Sequence, residues 1–275
     1  MSKMISYEKK DTVIHELSGF TKLLFFLLWC MISALTFDTR ILILMLVMGA
    51  AIFMISKTSW SQVSGVFLAI MFFMVINLVA IFFFAPYQGC EIYGTTTELV
   101  HLFGNYSITS EQLFYEFNVM IKYFTVIPSV FIFLVTTNPS ELAASLNGIG
   151  VPYMISYALE ITLRYIPDIQ DEFHKIKNAQ EARGIEMSSK GKLMDRISNT
   201  AAIIFPLLFS TMERIDVVSN AMELRGFGKK KKRSWYSKKS LSAVDIGVIV
   251  FIIAFFIVSM IITYHDGNRF FNPFI

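Results

Sequence analysis

Five long apolar runs constrain the fold of this chain more than any other feature of its sequence. They cover residues 20–37, 41–56, 63–85, 113–136 and 243–264. A helix needs about 20 mostly apolar residues to cross the hydrocarbon core of a bilayer. The chain is 55% hydrophobic and has a mean hydropathy of +0.57 because of these runs. We therefore expect an all-α, polytopic membrane protein with about five transmembrane helices.

The first two runs are short and are separated only by Asp38-Thr39-Arg40, which indicates a tight helical hairpin. Lysines precede the first run, as they do in a signal peptide. The run is too long for the apolar part of a signal peptide, and no small-residue cleavage site follows it. We expect an uncleaved helix.

The fourth run contains polar residues near its start, and two interpretations of them stay open. Glu116, Asn118 and Lys122 all lie there, although charge inside the bilayer is costly. In the first interpretation, the membrane-spanning part begins later and Lys122 extends its amine toward the interface. In the second, Lys122 makes a buried polar contact with another helix.

The distribution of cations predicts the orientation. With the N-terminus in the cytoplasm, 21 of the 24 Lys and Arg residues fall on the cytoplasmic side, and only Arg40 and Arg269 fall outside. Eight cations lie between Arg225 and Lys239, close to the last span. We expect a multi-pass membrane protein, with an N-terminal membrane domain over 1–136, a cytoplasmic domain over 137–240, and a last span with an extracytoplasmic tail over 241–275.

The segment 137–240 has the sequence signals of one short and two long helices. Asn138-Pro139-Ser140-Glu141 is typical of a helix start, with an N-cap, a proline in the first position and an acid in the third. The long helices are expected from Pro152 to Arg183-Gly184 and from about Lys192 to Arg225-Gly226. Each contains one interior proline, which should kink it. Apolar residues recur along both at steps of three and four, which is the pattern of an amphipathic helix.

Each long helix ends in a copy of one phrase. Asn178-Ala-Gln-Glu-Ala-Arg-Gly184 returns 42 positions later as Asn220-Ala-Met-Glu-Leu-Arg-Gly226. Glycine readily adopts the left-handed conformation that ends a helix. An arginine just before it projects from the helix end, and its planar fork can grip a carboxylate on another protein. Glu181 and Glu223 could hold each arginine in place. The alternative is that each arginine only caps its own helix.

On these motifs the chain resembles the transmembrane (T) components of energy-coupling factor (ECF) transporters, the EcfT/CbiQ-like family. That family carries two X-Arg-Gly motifs at the ends of cytoplasmic coupling helices. The matching residues here are Ala182-Arg183-Gly184 and Leu224-Arg225-Gly226. Leu224 departs from the family's more usual alanine. The Thr137-Asn138-Pro139 helix start and the single span after a basic linker also fit.

The resemblance implies a protein of the prokaryotic cell membrane in which residues 137–240 are a coupling domain. It also implies that separate subunits share the uptake of a micronutrient, either a vitamin or a transition metal such as cobalt or nickel. Two ATPase subunits, which carry ATP and Mg, each receive one motif, and a small S component captures the substrate. This chain would bind no cofactor and would not itself be an enzyme. An apolar helical surface suits the docking of the S component, and the expected contacts are Ile155, Leu159, Ile166, Ile169, Phe173 and Leu208.

Other functions fit the sequence less well. A phosphate loop needs four residues between its glycines and a Ser or Thr after its lysine. Here six residues separate Gly184 from Gly191, and Leu193 follows Lys192. The histidines and cysteines are scattered, so we expect no metal site, and the net charge of +3 is too small to suggest nucleic-acid binding. A membrane enzyme would need converging catalytic groups, and the sequence suggests none.

The main alternative is the permease subunit of an ordinary ABC importer. Glu181-Ala182 matches the start of its E-A-x-x-x-G pattern, but Glu186 occupies the position of the required glycine. A second copy of the motif also argues against it. The two functions differ in stoichiometry: a T component is present once for each ATPase pair, and a permease twice.

Overall fold

The computed structural model describes residues 12–103, 106–184, 193–229, 239–265 and 269–272. The elements are α1 (Val13–Glu16), α2 (Gly19–Leu35), α3 (Thr39–Ile55), α4 (Trp60–Phe84), α5 (Gln88–Tyr93), β1 (Glu98–Phe103), β2 (Tyr106–Thr109), α6 (Ser110–Thr136), α7 (Pro139–Gly148), α8 (Tyr153–Ala182), α9 (Leu193–Leu224) and α10 (Ala243–Tyr264). Gly191-Lys192 and the basic residues within 230–238 lie outside the described residues.

Each of the five apolar runs forms one helix, which confirms the predicted fold class. Three described helices are long and apolar enough to cross a membrane, over Val63–Phe84, Ser110–Thr136 and Ala243–Tyr264. The helices α2 and α3 are apolar but have only 17 residues each, or about 25 Å of helix, just under the thickness of the hydrocarbon core. Asp38 starts α3 by accepting a hydrogen bond from the amide of Arg40 at 2.9 Å, which keeps the turn between α2 and α3 short.

The loop after α4 has structure that the sequence patterns did not predict. Helix α5 is followed by the antiparallel pair β1–β2, and α6 begins three residues before the apolar run. The Glu111 carboxylate accepts hydrogen bonds from the Thr97 amide at 3.0 Å and from the Thr95 hydroxyl at 3.0 Å. These bonds satisfy a fully buried acid and fix the hairpin to the start of α6.

The chain divides into two compact units, residues 1–141 with 239–275, and residues 142–238. The first unit packs its core around Trp29, which is fully buried and donates through Nε1 to the carbonyl of Thr125 at 3.0 Å. Ile32, Met45 and Ile252 lie in the same cluster. This core therefore joins α2, α3 and α10, and the Trp29 hydrogen bond adds α6.

Lys122 contacts the end of α2. Its amine lies 3.1 Å from the centre of the Phe37 ring and 3.4 Å from the carbonyl oxygen of Ala34. The polar residue one turn earlier, Asn118, is fully buried and accepts a hydrogen bond from the Thr39 hydroxyl at 2.7 Å. Asn118 therefore makes a buried polar contact between helices. Lys122 itself is half-buried, and the two interpretations of its role remain predictions.

The second unit is built on an antiparallel pair, α8 and α9. Near the end of α8, Gln180 donates to the carbonyl of Ala202 at 3.1 Å. Further back, Glu172 accepts hydrogen bonds from Ser210 and, at 3.1 Å, from Arg214. Contacts therefore move forward along α9 as they move backward along α8. Both helices run without interruption through their prolines, Pro167 and Pro206.

Candidate coupling site

The repeated arginine at the end of α8 occupies the cap position that the sequence predicts. The amide of Arg183 donates to the carbonyl of Gln180, and that of Gly184 to the carbonyl of Glu181, each at 3.0 Å. Gly184 has a φ of +85°, in the left-handed region that glycine adopts at least cost. The next amide along, which would complete the cap, belongs to Ile185 and lies outside the described residues.

The end of α9 repeats this geometry and shows the complete cap. Gly226 has a φ of +70°, and its amide donates to the carbonyl of Glu223 at 2.8 Å. The amide of Phe227 reaches back to the carbonyl of Met222 at 2.9 Å. These two bonds are those of a Schellman motif, which satisfies carbonyls that a helix end leaves unpaired.

The shared cap gives the two arginines the same relation to their helices. Arg183 and Arg225 each directly precede the left-handed glycine, and both are exposed, as are Ala182 and Leu224 before them. The C-terminal end of a helix carries partial negative charge, which favours a cation there. Each helix therefore ends in an exposed guanidinium on a fixed turn. We call these two ends the arginine tips.

The antiparallel pairing separates the arginine tips widely. The ring of Phe227, two residues after Arg225, lies 4.8 Å from the ring of Tyr157 near the start of α8. From Tyr157 to Arg183 is roughly 26 residues, or about 39 Å of helix at 1.5 Å per residue. The tips lie at opposite ends of the helix pair and cannot both reach a single small groove.

The two ends differ in how they are fixed. Phe227 also lies 5.9 Å from the ring of Tyr153, and Tyr153 stacks on Tyr157 at 5.8 Å. Aromatic contacts thus hold the end of α9 against the start of α8. The sequence analysis missed this cluster; the signal was an aromatic residue directly after the second glycine, where a Schellman motif often has a hydrophobic contact.

The acidic residues of the repeat do not share one set of contacts. The Glu181 carboxylate lies 3.7 Å from the amine of Lys177, one turn earlier on α8. Glu223 is exposed, and its backbone carbonyl accepts the bond from Gly226. Their expected role in holding the arginines remains a prediction.

The residues expected to dock an S component are exposed to different extents. The side chains of Ile155, Ile166 and Leu208 are exposed by 60%, 43% and 51%. The other three, Leu159, Ile169 and Phe173, are half-buried. On α8 the expected surface is therefore accessible in part.

A more continuous apolar surface lies on α9, and the sequence analysis took only Leu208 from it. Its members are exposed by more than two fifths, and we call them the α9 stripe: Ile204, Phe205, Leu208, Phe209, Met212 and Ile215. Successive helix residues are about 100° apart, which places the stripe away from Ser210 and Arg214, the residues that contact α8. The α9 stripe thus faces away from the partner helix.

Comparison with known proteins identifies the family of the chain. A family model described as cobalt transport protein, CbiQ, matches residues 10–236. The chain is 25% identical to the energy-coupling factor transporter transmembrane protein EcfT of Streptococcus equi over 264 residues, or 92% of this chain and 94% of the relative. The EcfT of Leuconostoc gelidum is 28% identical over 214 residues, or 74% of this chain and 75% of the relative.

The EcfT of Staphylococcus aureus is 25% identical over 269 residues, with 92% of this chain and 94% of that protein covered. The chain therefore belongs to the CbiQ/EcfT family, the transmembrane components of energy-coupling factor transporters. It is a component of membrane transport, and its relatives are bacterial proteins.

Proposed function

We propose that this chain couples two ATPase subunits to an S component that captures a vitamin or a transition-metal ion. The observation that carries the proposal is the pair of arginine tips, each set on a left-handed glycine. Two similar caps, at opposite ends of a helix pair that is about 39 Å long between Tyr157 and Arg183, fit two separate grooves of the same kind. A pair of ATPases provides two such grooves.

Each ATPase would bind one tip through acidic groups. Arginine forms planar, two-pronged hydrogen bonds with carboxylates, and these bonds are stronger than neutral ones. The helix end adds further carbonyl acceptors around the guanidinium. In this division of labour ATP and Mg belong to the ATPases, and this chain is not catalytic. The orientation follows, with the N-terminus and residues 137–240 in the cytoplasm where ATP is available.

The α9 stripe, with the exposed part of α8, would dock the S component. An apolar surface that stays exposed on this chain marks an interaction site. Another membrane protein, whose surface is itself apolar, suits it better than a soluble protein does. ATP binding would draw the two ATPases together and move the arginine tips with them. Long helices transmit that movement along their length to the stripe, and the substrate is released on the cytoplasmic side.

Charge reversal at the tips tests the ATPase contacts. We expect Arg183→Glu or Arg225→Glu to weaken ATPase binding by about 2–5 kcal/mol, as for other buried interfacial charge pairs, and the double variant to abolish co-purification. Arg164→Glu is the matched control, because Arg164 is exposed on the same helix far from its end. If the double variant still co-purifies with its ATPases at full stoichiometry, the proposal is wrong.

A second pair of variants tests the docking surface. Leu208→Asp places a charge in the α9 stripe and should reduce the amount of S component that co-purifies. Val217→Asp is the control, since Val217 is 64% exposed and lies about 180° around the helix from Leu208. Equal losses in both variants would contradict docking on the stripe.

A further inference from the structure

The two residues of the first unit that border the second unit in the sequence, Glu141 and Lys239, form an ion pair. The chain leaves the first unit after Glu141 and returns to it at Lys239. The Lys239 amine lies 2.8 Å from the Glu141 carboxylate. This contact therefore links the two points at which the chain leaves and re-enters the first unit.

Glu141 is placed for this contact by the start of α7. Asn138 accepts a hydrogen bond from the Ser140 amide at 3.1 Å, which makes Asn138 the N-cap and puts the carboxylate in the first turn. An acid in that turn is favoured by the helix dipole. The sequence analysis identified this role, but not that the carboxylate is only 9% exposed and pairs with lysines from distant segments.

A buried lysine of α2 lies on the other side of Glu141. Lys22 is 6% exposed, and its amine lies 3.6 Å from the carboxylate. The same amine donates to the carbonyl of Thr136, the last residue of α6, at 2.8 Å and to that of His15 at 3.2 Å. Lys22 thus connects Glu141 to the ends of α1 and α6.

Lys239 joins the same group from the returning chain. Its amine lies 3.3 Å from the carbonyl of His15, which Lys22 also contacts. The charges of Glu141 and Lys22 have little access to water, where a charge is costly unless it is paired, and Lys239 pairs with the same carboxylate from a more exposed position. Glu141, Lys22 and Lys239 therefore hold one another, and we call the three residues the base joint.

A second carboxylate fixes the chain just beyond Lys239. Asp245 accepts a hydrogen bond from the Ser18 amide at 2.8 Å, from the Thr21 hydroxyl at 2.8 Å and from the Ser242 hydroxyl at 2.8 Å. One acid thereby caps the starts of both α2 and α10. The returning chain is held from Lys239 to the first turn of the last span.

We propose that the base joint transmits movement of the coupling segment to the membrane helices, and that Glu141 is its central positioning residue. This inference rests on the proposed function. Along the chain, the inserted segment 142–238 follows Glu141 and precedes Lys239, and these two residues of the first unit form the ion pair. A paired charge resists sliding better than an apolar contact, because its energy depends steeply on geometry in a medium of low dielectric.

The test uses the complete transporter in liposomes with the substrate of its S component. We expect Glu141→Gln to keep ATPase co-purification and ATP hydrolysis within about twofold of wild type, while uptake per ATP hydrolysed falls about tenfold or more, since a buried charge pair has lost one partner. Glu141→Asp keeps the charge and should restore part of the coupling. Asp168→Asn, at an exposed carboxylate of α8, is the control and should leave the ratio unchanged.

Unchanged uptake per ATP in Glu141→Gln overturns the inference. If that variant fails to assemble, Lys239→Gln decides, because the Lys239 side chain is 42% exposed and its loss disturbs packing less. A reduced ratio in Lys239→Gln then supports the joint, and a normal ratio overturns it. Failure of the proposed function would be recognised separately, because the wild-type protein itself would then not co-purify with ATPases.

Discussion

The two units of this protein differ in how far each one buries its own side chains. The first unit has a core of large residues such as Trp29, Ile32 and Met45, each fully buried. In the second unit, Ala143, Ala144 and Ser145 of α7 are buried, but among the described side chains of residues 151–184 and 199–229 only Ser156 and Ile203 are. The first unit is nearly complete without partners other than lipid, whereas the long helices of the second are left with accessible surface.

The exposed apolar residues of the two units also have different surroundings. On α4 they cover a wide arc of the helix and leave one side, around Val63, packed in a cluster with α6; they include Leu68, Phe72, Phe73, Val75 and Ile76. On α9 most of them form the α9 stripe, with Val217 on the opposite side of the helix, and the exposed acid Glu213 lies beside the stripe. A stripe flanked by charge indicates a protein partner or an interface. This difference is the one expected if the second unit docks other subunits, as the proposed function requires.

The largest expected effect is in the core of the first unit. Trp29→Ala should destabilise the protein by about 3–5 kcal/mol, because a fully buried indole and its packing are lost. Trp60→Ala is the matched control, since Trp60 is 57% exposed at the start of α4. Thermal unfolding in detergent measures both. If both variants lose the same free energy of unfolding, the buried position of Trp29 adds nothing to stability, and the predicted core of the first unit is contradicted.

An intermediate effect is expected at Ile203, the one buried apolar residue among the described side chains of α9, residues 199–224. Ile203→Ala should cost about 2–4 kcal/mol, and the neighbouring Ile204→Ala, at a side chain 43% exposed, much less. Hydrogen exchange over α8 and α9 reports the difference locally. If neither change increases hydrogen exchange, the prediction for Ile203 is wrong, and α8 and α9 have no stabilising core at this position.

The smallest effect is expected at the helix caps. Gly184→Ala should cost about 1–2 kcal/mol, the price of a left-handed conformation for a residue with a Cβ. A Cβ at this position would meet no atom within 4 Å, so the cost is conformational. Gly247→Ala in α10 is the control: its Cβ also meets no atom within 4 Å, and there alanine is the better helix former. Circular dichroism during unfolding compares the two, and a similar cost at both positions would contradict the cap.

Much of this architecture follows from local sequence patterns. The apolar runs predict the spans, and the predicted helix start at Asn138-Pro139 and the helix end at Arg225-Gly226 are confirmed within a residue. Each of these signals depends on residues within about one or two turns of helix. The orientation in the membrane and the partners of the tips concern other molecules, and they remain predictions.

The features that the sequence analysis missed depend on residues that are far apart in the chain. The contact of Glu141 with Lys22 and Lys239 joins three distant segments, and Lys22 had been counted only as one of the cations that set the orientation. The β1–β2 hairpin likewise depends on the buried Glu111 that follows it. Periodicity and motif spacing carry no information about such pairings.

Photocrosslinking from the arginine tips tests the central claim most directly. A photoreactive amino acid placed at Ala182 or at Leu224, both exposed and next to the arginines, should crosslink to an ATPase in assembled transporter. With both positions labelled in one chain, two different ATPase molecules should be captured. The account is contradicted if neither position captures an ATPase, or if both tips capture the same ATPase molecule.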